Sequence, residues 1–495
     1  MSLAREIPNP ENWPMPVPIS NPVPNAGETY KQSEGTRLLC ASAYLDRGFR
    51  KEVIKTYVNE EYKAIAPSFG IDQVTVIQHC LNAHKKLDGR EIWLLVAAIL
   101  AFITGVVGIF PLTFIACLAA AVYVFMDKRK VNAIVRKNFL RGKFNPDATP
   151  LNVDARVQHI RDSENGNVLI YSGFTPFAGS GLNLNGWSFA LDLRKTCDPN
   201  GQPVRSESGS DRITVPELYE RVDQDIRALD LNRVTVEDKL YVNGRDIRDD
   251  KRFLSNPLSR PKNRVDAQVV SNAMAEPSHQ LRHYRCIRVV DWSGELVLSI
   301  FFRLSKLSHN LFVEASYFLL TPIAEKYRKA DSLGQSSTLK QTVGDVIFAI
   351  VATPFLLLFS PFVVFGKMQE GLQEGTQRKK EKTEILENPS FDYGASRSIR
   401  QWTSSDHYRR YFQKLDKDMY AKVLEKTILD SIITILEERN IDVSELKQRQ
   451  TTILNNGVMV SGGNITTDNL AVGQGAKIGQ KISQVAAKAA NVANT

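Results

Sequence analysis

An α+β membrane protein is the fold class this sequence predicts, and three observations predict it. Residues Ile92 to Met126 form 35 positions without a charged side chain, Val346 to Phe365 form a second apolar stretch, and the region between them alternates in strand fashion around Asn-Gly turns. The expected architecture is a transmembrane helical hairpin, a cytoplasmic antiparallel α+β domain, and helical N- and C-terminal regions. In chain order this gives a Pro-rich disordered arm (1–35), a small helical domain (36–91), the hairpin (92–126), a basic juxtamembrane segment (127–150), the α+β domain (151–324), a Pro-kinked membrane segment (343–366), a helical region (383–455) and a Gly/Asn-rich tail (456–495).

The hairpin follows from length. One helix of 35 residues would run about 52 Å, well beyond a hydrocarbon core about 30 Å thick. Gly108-Ile109-Phe110-Pro111 breaks it near the middle into two arms of roughly 25 Å, whose outer ends return to one face. Charge sets the orientation, because Lys and Arg beside a membrane segment are retained in the cytoplasm. Lys128, Arg129, Lys130, Arg136, Lys137, Arg141 and Lys143 face the single acid Asp127, and Lys85, Lys86 and Arg90 flank the other end. That collar carries +6 of the net +9, so the basicity is juxtamembrane and suits a bilayer with anionic headgroups. Nucleic acid is not expected as a partner.

The soluble parts read by periodicity. Arg37 to Leu45, Lys51 to Tyr62 and a segment opening at Ile71-Asp72 are expected helices. In the central domain Arg156 to Arg161 and Val168 to Ser172 flank Asn165-Gly166 as a predicted hairpin, and Lys239 to Val242 and Arg245 to Ile247 flank Asn243-Gly244 as another. Trp187 to Leu193, Tyr284 to Asp291, Glu295 to Leu304 and Leu311 to Leu320 are further strands. Thr214-Val-Pro-Glu217 has capping-box spacing and opens a helix with Leu218, Val222, Ile226 and Leu229 on one face. Short connections predict antiparallel pairing throughout.

Pro354 and Pro361 lie inside the second apolar stretch, which has basic flanks on both sides. Length favours a crossing, whereas the charges favour an element that returns to the cytoplasmic face. Between Lys417 and Arg439 a stripe of Tyr420, Leu424, Ile428, Ile432, Ile435 and Leu436 must be buried, either in this chain or in a homo-oligomer through helix 417–439. The tail alternates short apolar runs with Gly and Asn, and Lys477 to Val492 reads as a weak helix.

Chemistry is sparsely written. Gly173, Gly179, Ser180, Gly181 and Gly186 make a Gly-rich loop after a predicted strand, the one candidate ligand-binding or phosphate-approaching element, yet no Gly-Lys-Ser/Thr follows. His279, His283 and Cys286 lie close in sequence, but without a fourth ligand they read as ordinary surface residues and no metal is expected. Asp246, Asp249 and Asp250 alternate with basic residues as a self-paired loop. Five cysteines without a Cys-x-x-Cys fit a reducing compartment, and neither a catalytic residue nor a cofactor is assigned.

Residues 168–177, 242–250 and 311–320 resemble segments of uncharacterised bacterial integral membrane proteins, which implies residence in the bacterial cytoplasmic (inner) membrane. The tail resembles tails of some bacterial conflict-system proteins, which implies defence or signalling. The functional expectation is a membrane-anchored sensor, effector or scaffold whose cytoplasmic domain receives a ligand or partner. The alternative is a membrane-surface enzyme with its site at the loop 173–186.

Overall fold

The computed structural model describes residues 30–87, 89–148, 155–198, 202–231, 233–276, 278–335 and 338–456. Most of the Pro-rich arm and nearly all of the Gly/Asn-rich tail lie outside these residues. The described chain is a mixed α+β fold in two compact units, one from 1–182, 233–301 and 319–405, the other from 183–232, 302–318 and 406–495.

In the first unit, α1 (Glu34–Leu45), α2 (Arg47–Ile54) and α3 (Gln73–Leu87) are built as periodicity predicts, with a π-turn at Lys55–Asn59 closing the second helix early. Ser33 and Asp46 cap the first two by accepting from the amides of Thr36 and Phe49. Leu38, Leu39, Val53, Ile77 and Cys80 bury completely in their shared core.

The hairpin is α4 (Arg90–Val106) and α5 (Phe110–Asn138). Gly108 turns it at φ +81°, and Pro111 occupies the first turn of α5, where its missing amide costs nothing. A third apolar helix, α9 (Leu339–Glu387), packs on both arms around Leu94, Ala120, Val124, Ala349 and Leu357. Three spans are long and apolar enough to cross a membrane: Gln73–Val106, which ends with α4, Phe110–Asn138 and Leu339–Gly366. Small residues at the seam let the backbones approach, while Phe102, Phe114 and Phe362 on the outside are more than two-thirds exposed. The Pro-kinked segment expected at 343–366 lies within a longer helix of 49 residues, which carries both Pro354 and Pro361. The short α10 (Ile399–Trp402) follows it in the chain.

A six-stranded sheet runs in the order β1 (Val168–Tyr171), β5 (Val234–Asn243), β6 (Leu281–Asp291), β7 (Leu296–Leu307), β8 (Asn310–Leu320), β2 (Leu182–Asp192), and β3 (Lys195–Cys197) pairs β4 (Pro203–Arg205) separately. Three expectations are corrected. Residues 156–161 are not a strand but lie in α6 (Ala155–Glu164), because Val157 and Ile160, three apart, both bury on one helical face. Gly166 closes no hairpin; a methyl there would sit 2.2 Å from the Asn263 carbonyl oxygen. Residues 245–247 are not a strand either, since β5 ends at Asn243 and the Gly244 amide bonds the Tyr171 carbonyl. The pairing is also not antiparallel throughout. β1 lies parallel to β5, with Val168 opposite Leu240, across a connection long enough to hold other elements.

In the second unit, α7 (Val215–Ala228) starts where the capping-box spacing put it, with Thr214 Oγ1 accepting from the Glu217 amide. It packs against α11 (Tyr411–Glu438), and α12 (Ser444–Asn456) follows. The stripe Leu424, Ile428, Ile432 and Leu436 is wholly buried within this unit, so its apolar demand is met inside one chain rather than by a second copy.

Candidate functional site

The junction where the apolar helices meet the first unit is built from α1. Arg37, 2% exposed, donates from Nη1 to the Phe139 carbonyl at the end of α5 (2.7 Å), from Nη2 to Asp331 Oδ1 just before α9 (2.6 Å), and from Nε and Nη2 to both oxygens of Glu34 (2.8 and 2.7 Å). One guanidinium therefore ties the hairpin exit, the approach to α9 and the N-terminal helices. Burial works against its charge, but Glu34 and Asp331 outweigh that and hold the guanidinium pKa above its ordinary value. Sequence reading missed it, because Glu34 and Arg37 look like a routine i,i+3 pair and Asp331 is remote in the chain.

The other clamps surround it. Glu91 pairs with Arg47 at the foot of α4, and Arg90 Nη1 lies 3.4 Å from Asp127 Oδ2 across the hairpin. Of the seven collar residues, three pair with other parts of the first unit. Lys128 pairs with Asp345 at 2.9 Å over the Phe348 ring, Arg136 donates to the Gly334 carbonyl and Gln341 Oε1 at 3.1 and 3.0 Å, and Arg141 reaches Glu34 at 2.9 Å. Arg129, Lys130, Lys137 and Lys143 remain on the surface. The collar thus divides into groups that seat α9 and groups open to solvent.

The Gly-rich loop is laid down differently from a ligand cradle. Gly179 (φ +92°) has its amide bonded to Gln401 Oε1 at 2.9 Å, and a methyl on it would meet the Pro67 carbonyl oxygen at 2.5 Å. At Gly181 (φ +93°) the obstacle would be the Leu319 carbonyl oxygen at 2.2 Å, and in the second unit Gly186 lies as close to Ala315. Ser180 is buried, and Phe177 inserts between Tyr241, Tyr284 and Phe301, stacking on the last at 4.0 Å. These residues bring protein backbones together. Gly173 (φ +78°), with open space around it, and the fully exposed Phe174 face outward, as do Thr175, Leu182 and Gly186.

His283 is not the surface residue expected: it is buried on β6, its Nε2 2.7 Å from Asp238 Oδ1, which also accepts from Arg285 Nε at 2.8 Å. His283 and Cys286 are thereby tied into the sheet, and among the described residues no three His, Cys, Asp or Glu side chains are grouped for a metal. Asp250 pairs with Arg252, as a self-paired loop would.

In the second unit Trp187 Nε1 donates to Glu425 Oε1 at 2.8 Å and Tyr317 Oη donates to the same oxygen at 2.9 Å. Burial of Glu425 pushes its carboxyl pKa up, against the pull of these donors. The AbeC-like domain matches residues 186–467, a stretch that takes in parts of both units. The chain belongs to the AbeC-like domain family. The AbeC-like stretch takes in α7, β5 to β8, α11 and all of the apolar helix α9, and leaves out the hairpin and Gly173, Gly179, Ser180 and Gly181. No curated protein and no solved structure matches the chain.

Proposed function

We propose that this protein is held in the bacterial cytoplasmic membrane by the hairpin and α9, and that it acts there as a sensor, effector or scaffold whose cytoplasmic units receive a ligand or partner. The observation that carries this reading is the Arg37 junction. A shift of α1 is felt at once by the end of α5 and by the approach to α9, because one buried side chain bonds to both. The outward faces of α4, α5 and α9 are a contiguous set of large apolar side chains, far beyond the scattered ones normal on a soluble surface. Arg129, Lys130, Lys137 and Lys143 are suited to anionic headgroups. The AbeC-like stretch contains α9, which supports a membrane role for that domain and not only for the hairpin beside it.

The enzymatic reading at the loop 173–186 draws less support, since Gly179 and Gly181 spend their conformational freedom on contacts with protein carbonyls. Two measurements test the proposal. The full chain should stay with membranes through an alkaline carbonate wash; release into the supernatant overturns the membrane reading. In nanodiscs, Arg37→Met should speed amide exchange both around Val135–Leu140 and around Gln341–Asp345. Acceleration confined to α1 would show that Arg37 couples nothing.

A further inference from the structure

Outside the hairpin with its turn and α9, ten large apolar side chains stand exposed among the described residues, and half of them share one face of α11. Tyr411 (71% exposed), Phe412 (65%), Leu415 (43%), Met419 (50%) and Val423 (37%) recur at spacings that keep them within one stripe along about three turns. The remaining five, such as Val204 and Leu258, are scattered singly over other elements. The opposite face of α11 carries the buried stripe that holds the second unit together, so this is a helix with two apolar faces, one used and one not.

Charge identifies what the open face fits. Lys422 and Lys426 project from the same stripe, Lys426 pairing with Asp430 at 2.7 Å, and Arg409, Arg410 and Lys414 lie at its start. From Tyr408 to Lys426 the chain carries six basic and three acidic residues. One of those acids, Glu425, is buried with Trp187 and Tyr317, and another, Asp418, pairs with Lys417. A second copy of α11 meeting this face would bring Lys422 and Lys426 against their own counterparts. The segment Lys477 to Val492 of the same chain, with three Lys and no acid, would bring like charge as well. An anionic bilayer neutralises these groups. Its interface takes aromatic rings at headgroup level, accepts Leu, Met and Val below them, and lets the long Lys stems reach back to the phosphates.

We infer that the Tyr411–Val423 face of α11 is an interfacial membrane contact, which lays the second unit on an anionic lipid surface. This rests on the membrane reading above and adds a peripheral contact in the unit that contains none of the apolar helices.

The test uses the full chain in nanodiscs, with the photo-reactive residue benzoylphenylalanine placed at Leu415 in one sample and at Phe114, on the hairpin, in another. Irradiation should give lipid adducts at both positions. At Leu415 the yield should fall by about fivefold or more when phosphatidylglycerol is replaced by phosphatidylcholine, or in Lys422→Glu/Lys426→Glu. The Phe114 yield should be indifferent to both changes. Lipid adducts at Phe114 with none at Leu415 would overturn the inference and leave the membrane reading standing. Crosslinks from Leu415 to a second copy, or to Lys477–Val492 of the same chain, would overturn it in favour of those occupants. No lipid adduct at either position would remove the membrane reading, and this inference with it.

Discussion

Two side chains show how single residues set the behaviour of each unit. Arg37 is buried and answers two carboxylates and a carbonyl, so Arg37→Met should leave Glu34 and Asp331 to the half-exposed Arg141 and cost about 2–3 kcal/mol in thermal unfolding of the reconstituted chain. Arg37→Lys keeps the charge but cannot reach all three acceptors in a fork, and should recover only part of that loss. Glu425 gives a pH dependence of definite sign. Its carboxyl pKa is raised in the folded state above the ordinary value, so the stability it contributes is complete below the carboxylate range of the unfolded chain and is lost as pH rises through the folded value. Glu425→Gln keeps an oxygen for Trp187 and Tyr317 and removes the titration. Its stability should therefore be flatter with pH and should exceed that of the parent at neutral pH; a variant less stable at pH 7 with an unchanged slope would count against a strained carboxylate.

At the scale of elements, the Gly-rich loop separates two roles that look alike in sequence. Gly181→Ala forces a left-handed backbone on a residue with a side chain and drives a methyl toward the Leu319 carbonyl, a loss of about 3 kcal/mol in chemical denaturation. Gly173→Ala shares the left-handed penalty but enters open space, and should lose only about 1 kcal/mol. Equal losses would mean that the close approach at Gly181 is not what the glycine serves. The same loop shows what a linear reading can reach. Periodicity found the hairpin, the strands of β6 to β8 and the Thr214 cap, because each is written in neighbouring residues. It could not find the parallel partner of β1, which lies some seventy positions away at Leu240, and so it counted antiparallel hairpins where Asn-Gly only ends a strand. It read Arg156 to Arg161 by alternation, whereas burial of Val157 with Ile160 selected the helical period. The carbonyls that explain Gly179 and Gly181 belong to Pro67 and Leu319, and no local pattern points to either.

At the scale of the molecule, the open question is the path of α9. A straight helix of 49 residues would measure about 73 Å, yet both of its ends are fastened to the first unit. Its start is held by Lys128 to Asp345 and Arg136 to Gln341. Near its end Arg378 lies 3.6 Å from Glu61, Ile385 is fully buried beside Leu240 and Tyr393, and Arg248 Nη1 bonds the Asn388 carbonyl at 2.9 Å. Glu61 precedes the hairpin and Lys128 follows it, so a hairpin that returns to one face puts both anchors of α9 in the same compartment. Under the membrane reading proposed above, an apolar segment tied at both ends to that compartment would have to return to it, and Pro354 and Pro361 free the backbone groups that such a bend needs. Basic residues on both sides of it then stay inside, as the charge bias requires. Single cysteines introduced at Lys137 and Lys379, in a background with Cys117 and Cys197 replaced by serine, should react with an impermeant maleimide only from the cytoplasmic face. A cysteine at Phe110, on the hairpin tip, should not share that pattern. Lys379 is exposed, as a labelling site must be. Labelling of Lys379→Cys from the outer face would establish a full crossing by α9 and overturn the returning path.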